Sequence, residues 1–252
     1  MSVLILTAHG SADPRSAEVT NAVAEQIRIL RPTLDVRVAF CEKSSPNLRD
    51  VLAGLDQPGV VTPLLLASAY HARVDIPEMI AESGADVVQA EALGEDPRLV
   101  EVLRQRVLES APPAGDTGVA TGVLVVAVGS SHAEANARTA TLADSLPGDW
   151  AGVRVAYATG PEPSVDDGIA ALRALGAGHI VVAPWFIAPG RITDRVAAAV
   201  TAHDAAMAEP LGAHPLLAAT VLDRFDRAVA ARLARSWESI VSGGDRRFDD
   251  FF

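Results

Sequence analysis

The chain has 252 residues, 49% of them hydrophobic and 21% charged, with a formal net charge of −11. That length suits two lobes of roughly 120 residues, and the acidic balance excludes a nucleic-acid binder, which needs a basic surface. No stretch reaches the ~18 uninterrupted apolar residues of a membrane helix, and Met1-Ser2-Val3 enters a strand without a basic leader or cleavage site, so a cytoplasmic protein without membrane contact is expected. The single cysteine, Cys41, excludes an internal disulfide and any multi-cysteine metal site.

In the first half, short apolar runs predict strands over 3–8, 35–41, 60–67 and 85–91. Amphipathic segments predict helices over 16–30, 46–55, 75–83 and 97–109. The alternation is that of a parallel sheet covered on both faces. Pro63 is awkward inside a strand and is expected to mark a bulge. Asp13-Pro14, Ser45-Pro46 and Asp96-Pro97 supply helix starts. A Pro/Gly-rich linker spans 111–120. The second half repeats the scheme, with strands near 122–128, 152–158, 179–185 and 206–210 and helices near 134–145, 164–175, 191–204 and 215–240. The expected organisation is an N-terminal lobe over 1–110, a C-terminal lobe over 121–241 and a tail over 242–252. The fold class is α/β, two similar doubly wound parallel-sheet lobes with the active cleft between them.

The halves are an internal duplication. Gly10 and Gly129, Pro46 and Pro163, Pro63 and Pro184, and Pro97 and Pro215 recur at a separation of about 120 residues, and Val36-Arg37-Val38-Ala39-Phe40 matches Val153-Arg154-Val155-Ala156-Tyr157. The copies differ where chemistry is expected. Ala8-His9-Gly10-Ser11 is matched by Ala127-Val128-Gly129-Ser130, so the imidazole survives in the first half alone. A single active centre is expected, with the second lobe as the opposing wall and a monomer as a natural form of such a duplicated chain.

In open parallel sheets, ligands bind beyond the carboxyl ends of the strands. His9 follows the first strand, Glu42 ends the second and His71 follows the third. Two imidazoles and a carboxylate suit a loosely held divalent first-row metal and proton abstraction near neutral pH. Gly10 permits close backbone approach, and Ser11 is expected to cap the following helix. Arg15, Arg73 and Arg191 fall at the same edge and are expected to receive carboxylates. Cys41 alternates with Glu42 and is expected in the core. His132, His179, His203 and His214 have no partners at ligand spacing and are expected to be structural.

His9-Gly10-Ser11, Phe40-Cys41-Glu42 and Ser68-Ala69-Tyr70-His71-Ala72-Arg73-Val74-Asp75-Ile76-Pro77 resemble the sirohydrochlorin chelatases, class II enzymes that insert a divalent metal into a modified tetrapyrrole. Ala183-Pro184-Trp185-Phe186-Ile187-Ala188-Pro189-Gly190 with Asp194-Arg195 is similar to the C-terminal lobe of their long form. The resemblance covers nearly all of the chain and implies that His9, His71 and Glu42 handle the metal and the protons. Ser11, Arg15, Tyr70, Arg73 and Arg191 are expected as substrate contacts. The resemblance implies no permanently bound cofactor: the partners are sirohydrochlorin and a divalent metal substrate, Fe2+ or Co2+. The tail lacks the His-rich or cysteine-cluster extension of some members, and iron is the expected metal. Dinucleotide and Walker patterns are absent after the first strand. A histidine phosphatase would need an arginine where Ala8 stands. A cytosolic metal-delivery protein without catalysis is the alternative reading.

Overall fold

The computed structural model describes residues 2–67, 71–112 and 119–244, with side chains described for all of these except 71–72 and 238–244. Four parallel strands, β1 (Val3–Ala8), β2 (Val36–Phe40), β3 (Gly59–Pro63) and β4 (Val87–Gln89), form one sheet in the order β2-β1-β3-β4. Four more, β5 (Thr121–Ala127), β6 (Gly152–Tyr157), β7 (His179–Pro184) and β8 (Ala206–Met207), form a second sheet in the equivalent order β6-β5-β7-β8. The two expected α/β lobes are therefore present. The edge strands β4 and β8 are shorter than expected, each pairing with one neighbour only.

The first half carries helices α1 (Pro14–Leu30), α2 (Leu48–Ala53), α3 (Ile76–Ser83) and α4 (Pro97–Ser110). A π-helical turn, His71–Asp75, leads into α3. The second half carries α5 (Ala133–Ala140), α6 (Leu142–Ser145), α7 (Val165–Ala174), α8 (Arg191–Ala202) and α9 (Pro215–Gly244). The helix expected over 134–145 is broken at Thr141, whose hydroxyl donates to the Arg138 carbonyl at 2.6 Å. Asp13 and Asp96 cap α1 and α4 through their carboxylates, with proline in the first turn. Ser45-Pro46 does not start α2. The cap is Asn47, whose side chain accepts from the Arg49 amide.

Pro63 makes no bulge and stays in register opposite Thr7. The Leu64 amide donates to Thr7 O on the β1 side, so the nitrogen of residue 63 points toward β4, beyond its last register pair, Val61 with Gln89. The missing donor removes no ladder bond there. Pro184 repeats the device, because Trp185 donates to Val126 and the β8 pairing ends at Val182.

Strand parity distributes the core. Leu4 and Leu6 face a central layer, whereas Val3 and Ile5 face an outer layer closed by Leu48 and Leu52 of α2 and Ile76 and Met79 of α3. Leu124 and Val126 face the equivalent outer layer of the second half under α7 and α8. The central layer does not divide between lobes. α4 closes the first half in sequence but packs on β7, and α9 closes the second half but packs on α1 and β3. Each half thus lends its last helix to the other, and Leu99, Leu103, Leu217 and Val221 share one core with both sheets. A sequence boundary at 110–120 separates the repeats but not their packing.

Candidate functional site

The order β2-β1-β3-β4 places the topological switch between β1 and β3, where the chain leaves the sheet in opposite directions and opens a crevice. His9 and Glu42 stand at that edge because the β1–β2 ladder continues past its strands: the Cys41 amide donates to Ala8 O and the Glu42 amide to His9 O, both at 3.0 Å. Gly10 has φ 91, and a Cβ there would lie 1.7 Å from the Glu42 carbonyl oxygen. Only glycine permits that approach. Gly129 repeats it with φ 93 against the Thr159 carbonyl, so the scaffold of the site is duplicated while its imidazole and carboxylate are replaced by Val128 and Thr159.

His9 Nδ1 lies 2.8 Å from the Gly10 carbonyl oxygen, which can only accept. Nδ1 therefore carries the proton, and in the neutral ring Nε2 holds the lone pair. Nε2 faces Glu42 Oε1 at 3.5 Å, with both side chains partly exposed. Lys43 Nζ reaches the same oxygen at 2.6 Å. The backbone of His71 lies in the π-helical turn, but its side chain falls outside the described residues, as does Tyr70 altogether. Among the described residues no three His, Cys, Asp or Glu side chains converge at metal-binding spacing.

The remaining expected residues divide. Ser11 borders the cleft, but its hydroxyl accepts from the Asp13 amide at 3.0 Å, and the helix cap is Asp13 rather than Ser11. Arg15 is engaged elsewhere than expected. It forks onto Asp13, with Nη2 to Oδ2 at 2.6 Å, and onto Asp194 at the start of α8, with Nη2 to Oδ2 at 2.6 Å and Nη1 to Oδ1 at 3.0 Å. It clips the two lobes together, and its hydrogen bonds hold both carboxyls below their usual range. Arg191, the first residue of α8, is exposed and borders the cleft. Arg73 is exposed on the π-helical turn. Cys41 is buried in the outer core as expected, its thiol pushed up to about 11 chiefly by burial. Of the other histidines, His203 bonds Asp166 at 2.8 Å and His214 bonds Gln105 at 3.1 Å, both away from the cleft.

Between the lobes lies a cleft of about 680 Å³, open to solvent. His9 and Lys43 border it on one side, Val128 and Tyr157 on the other, and the loop 185–190 together with Leu64 and Leu66 gives it apolar walls. Sequence reasoning missed Lys43, which belongs to no pattern, and Tyr157, whose counterpart Phe40 is a buried core residue. An open, largely apolar chamber with the His9 imidazole on one side and Arg191 at the start of α8 on the other suits an apolar ligand that carries anionic groups.

The fold and cleft define a two-lobed α/β protein with one degenerate lobe and a His–Glu pair at the strand ends of the other. The CbiX family model matches residues 3–110 and again 122–228, and the chain belongs to that family. The chain is 26% identical over 210 residues to a sirohydrochlorin ferrochelatase of Priestia megaterium, covering 78% of this chain and 77% of that one. It is also 26% identical over 214 residues to a sirohydrochlorin cobaltochelatase of the same organism, covering 78% and 67%. In fold it is similar to SirB from Bacillus subtilis with Fe3+, with a TM-score of 0.78 at 20% identity, covering 93% of this chain and 98% of that one. Among the described residues no helix is long and apolar enough to cross a membrane.

Proposed function

We propose that the chain is a sirohydrochlorin chelatase, a lyase that inserts a divalent first-row metal into the tetrapyrrole with release of two protons and without a nucleotide. The observation that carries this reading is His9, which borders an apolar interlobe cleft with Nδ1 held by the Gly10 carbonyl and Nε2 turned toward Glu42. Metalation needs a donor that holds the incoming ion weakly and bases that take two pyrrole protons. A neutral imidazole beside a carboxylate offers both. His71 is proposed as the second imidazole, carried over from the sequence motif. Arg73, Arg191, Ser11 and Tyr70 are proposed as contacts for the carboxylate side chains of the macrocycle, and Arg15 as a holder of the lobes. The second lobe occupies the place of a second copy, which supports a monomer binding one macrocycle.

For the metal, we read Fe2+ as favoured and Co2+ as an alternative substrate. Relatives of both names match equally, 26% identical over 210 and 214 residues, so the preference rests on the absence of a His-rich or cysteine-cluster tail. A pure metal-delivery role is not favoured, because chelatase-named relatives align over 78% of the chain. The test is anaerobic insertion followed by absorbance of sirohydrochlorin with Fe2+ and with Co2+. Conversion faster than the uncatalysed rate, greater with Fe2+ and lost in His9→Ala, is expected. Macrocycle binding without acceleration by either metal overturns the enzymatic reading.

A further inference from the structure

Lys43 borders the cleft and pairs with Glu42, a contact that metal handling by His9 and Glu42 leaves unexplained. It sits at φ 57, the left-handed region where a non-glycine residue is uncommon and costs about 1 kcal/mol or more. The turn is fixed from several sides. The Ser44 amide donates to Glu42 O at 2.6 Å. The Ser44 hydroxyl donates to Ser11 O at 3.0 Å and accepts from the Ser11 amide at 3.1 Å. Gly10 packs directly under the Glu42 carbonyl. This bracket delivers the ammonium to Glu42 Oε1 at 2.6 Å, the same oxygen that faces His9 Nε2 at 3.5 Å.

We infer that Lys43 is a resident cation that competes with the divalent metal for the Glu42 carboxylate and thereby sets how weakly the site holds its ion. The inference rests on the reading of His9 and Glu42 as metal ligands. A metal shared by those two side chains would lie about 2 Å from each donor. An ammonium hydrogen-bonded to the same oxygen would then stand only about 3–4 Å from a doubly charged ion, and the two repel. Entry of the metal therefore displaces Lys43, whose half-exposed, flexible stem can carry the charge into water. Departure of the metal into a macrocycle lets the ammonium return and restores a neutral pair at Glu42. A metal that must be given up gains from such a competitor, whereas a resident cofactor would be held less well by it.

The alternative role, a receptor for a substrate carboxylate, is separated by experiment. Lys43→Gly suits the left-handed backbone, removes the charge and adds no donor. Calorimetric titration of the whole chain with Co2+ alone should show a Kd lowered about tenfold in Lys43→Gly, within the usual range of coupling between two bound charges. Lys43→Arg should keep the weaker affinity. In the insertion assay Lys43→Gly should lower KM for the metal and leave KM for the tetrapyrrole unchanged. An unchanged or raised Kd for Co2+, or a raised KM for the tetrapyrrole alone, overturns the inference. His9→Ala and Glu42→Gln provide the control: if both bind Co2+ as the unaltered chain does, the ligand assignment itself fails, whatever Lys43→Gly shows.

Discussion

The Nδ1 proton of His9 is held by the carbonyl of the next residue, Gly10, at 2.8 Å, and that one bond fixes which nitrogen meets Glu42. The glycine serves twice, because its positive φ also lets the end of β2 close down on the loop.

His9→Ala is expected to lower metal insertion at least about 100-fold, the usual minimum for a lost general base, and His71→Ala is expected to act alike. The His9 side chain is one-third exposed, so truncation should cost under about 1 kcal/mol of stability. Insertion rates near normal in both variants, with folding confirmed by circular dichroism, would remove the imidazoles from the mechanism.

Gly10→Ala should be among the most damaging small changes in the chain. The new Cβ would fall 1.7 Å from a backbone oxygen at φ 91, which no side-chain adjustment relieves. A loss above about 3 kcal/mol, or failure to accumulate folded, is expected. Gly94→Ala is the control: its φ is 65, but nothing lies within 4 Å, so about 1 kcal/mol should be lost. Urea denaturation of the two variants compares them directly, and equal losses would contradict the close approach.

The parts of this architecture that were legible in the sequence are those set by local chemistry. The order of strands and helices, the glycine after His9 and the aspartates that start α1 and α4 declare themselves within a few residues, whereas the ends of the edge strands do not. The exchange of α4 and α9 does not, because an apolar helix face reveals that it is buried but not against which sheet. Arg15 illustrates the same limit. Its partner Asp194 lies in the other half of the chain, so no local pattern announces that this guanidinium also joins the lobes. Lys43 carried no pattern at all; only its position against Glu42 gives it meaning.

Val128→His restores the imidazole missing from the second half, and no second active centre should result. The position equivalent to Glu42 is Thr159, whose hydroxyl donates to the Val128 carbonyl at 2.8 Å and supplies no carboxylate. Titration should still give one tetrapyrrole per chain. Two equivalent sites would show that the second lobe is more than a wall.

The exchanged helices make stability fall with acid in two separate steps. At the start of α9, His214 Nδ1 accepts from the Leu216 amide at 3.1 Å, which leaves Nε2 as the proton carrier toward Gln105 Oε1 on α4, also at 3.1 Å. The bond from Leu216 requires the neutral ring, because protonation of Nδ1 removes its acceptor, and burial, followed by the charge of Arg106, holds the pKa below the usual value. Asp96 occupies the matching place at the start of α4. The Arg98 hydrogen bond, with further help from Arg224 on α9, holds its carboxyl at about 2. For His214 the unfolded chain takes up the proton first. Its contribution is therefore complete above about pH 6.5 and is lost as pH falls from there toward the lowered folded value. For Asp96 the contribution, about 2 kcal/mol, is present above about pH 4 and is lost as pH falls toward 2. Urea midpoints measured from pH 8 to pH 2.5 should show both declines. His214→Asn keeps a cap that does not titrate and should flatten the upper decline alone, while Asp96→Asn should flatten the lower one. Persistence of the full upper decline in His214→Asn would mean that another group, not the α9 cap, senses mild acid.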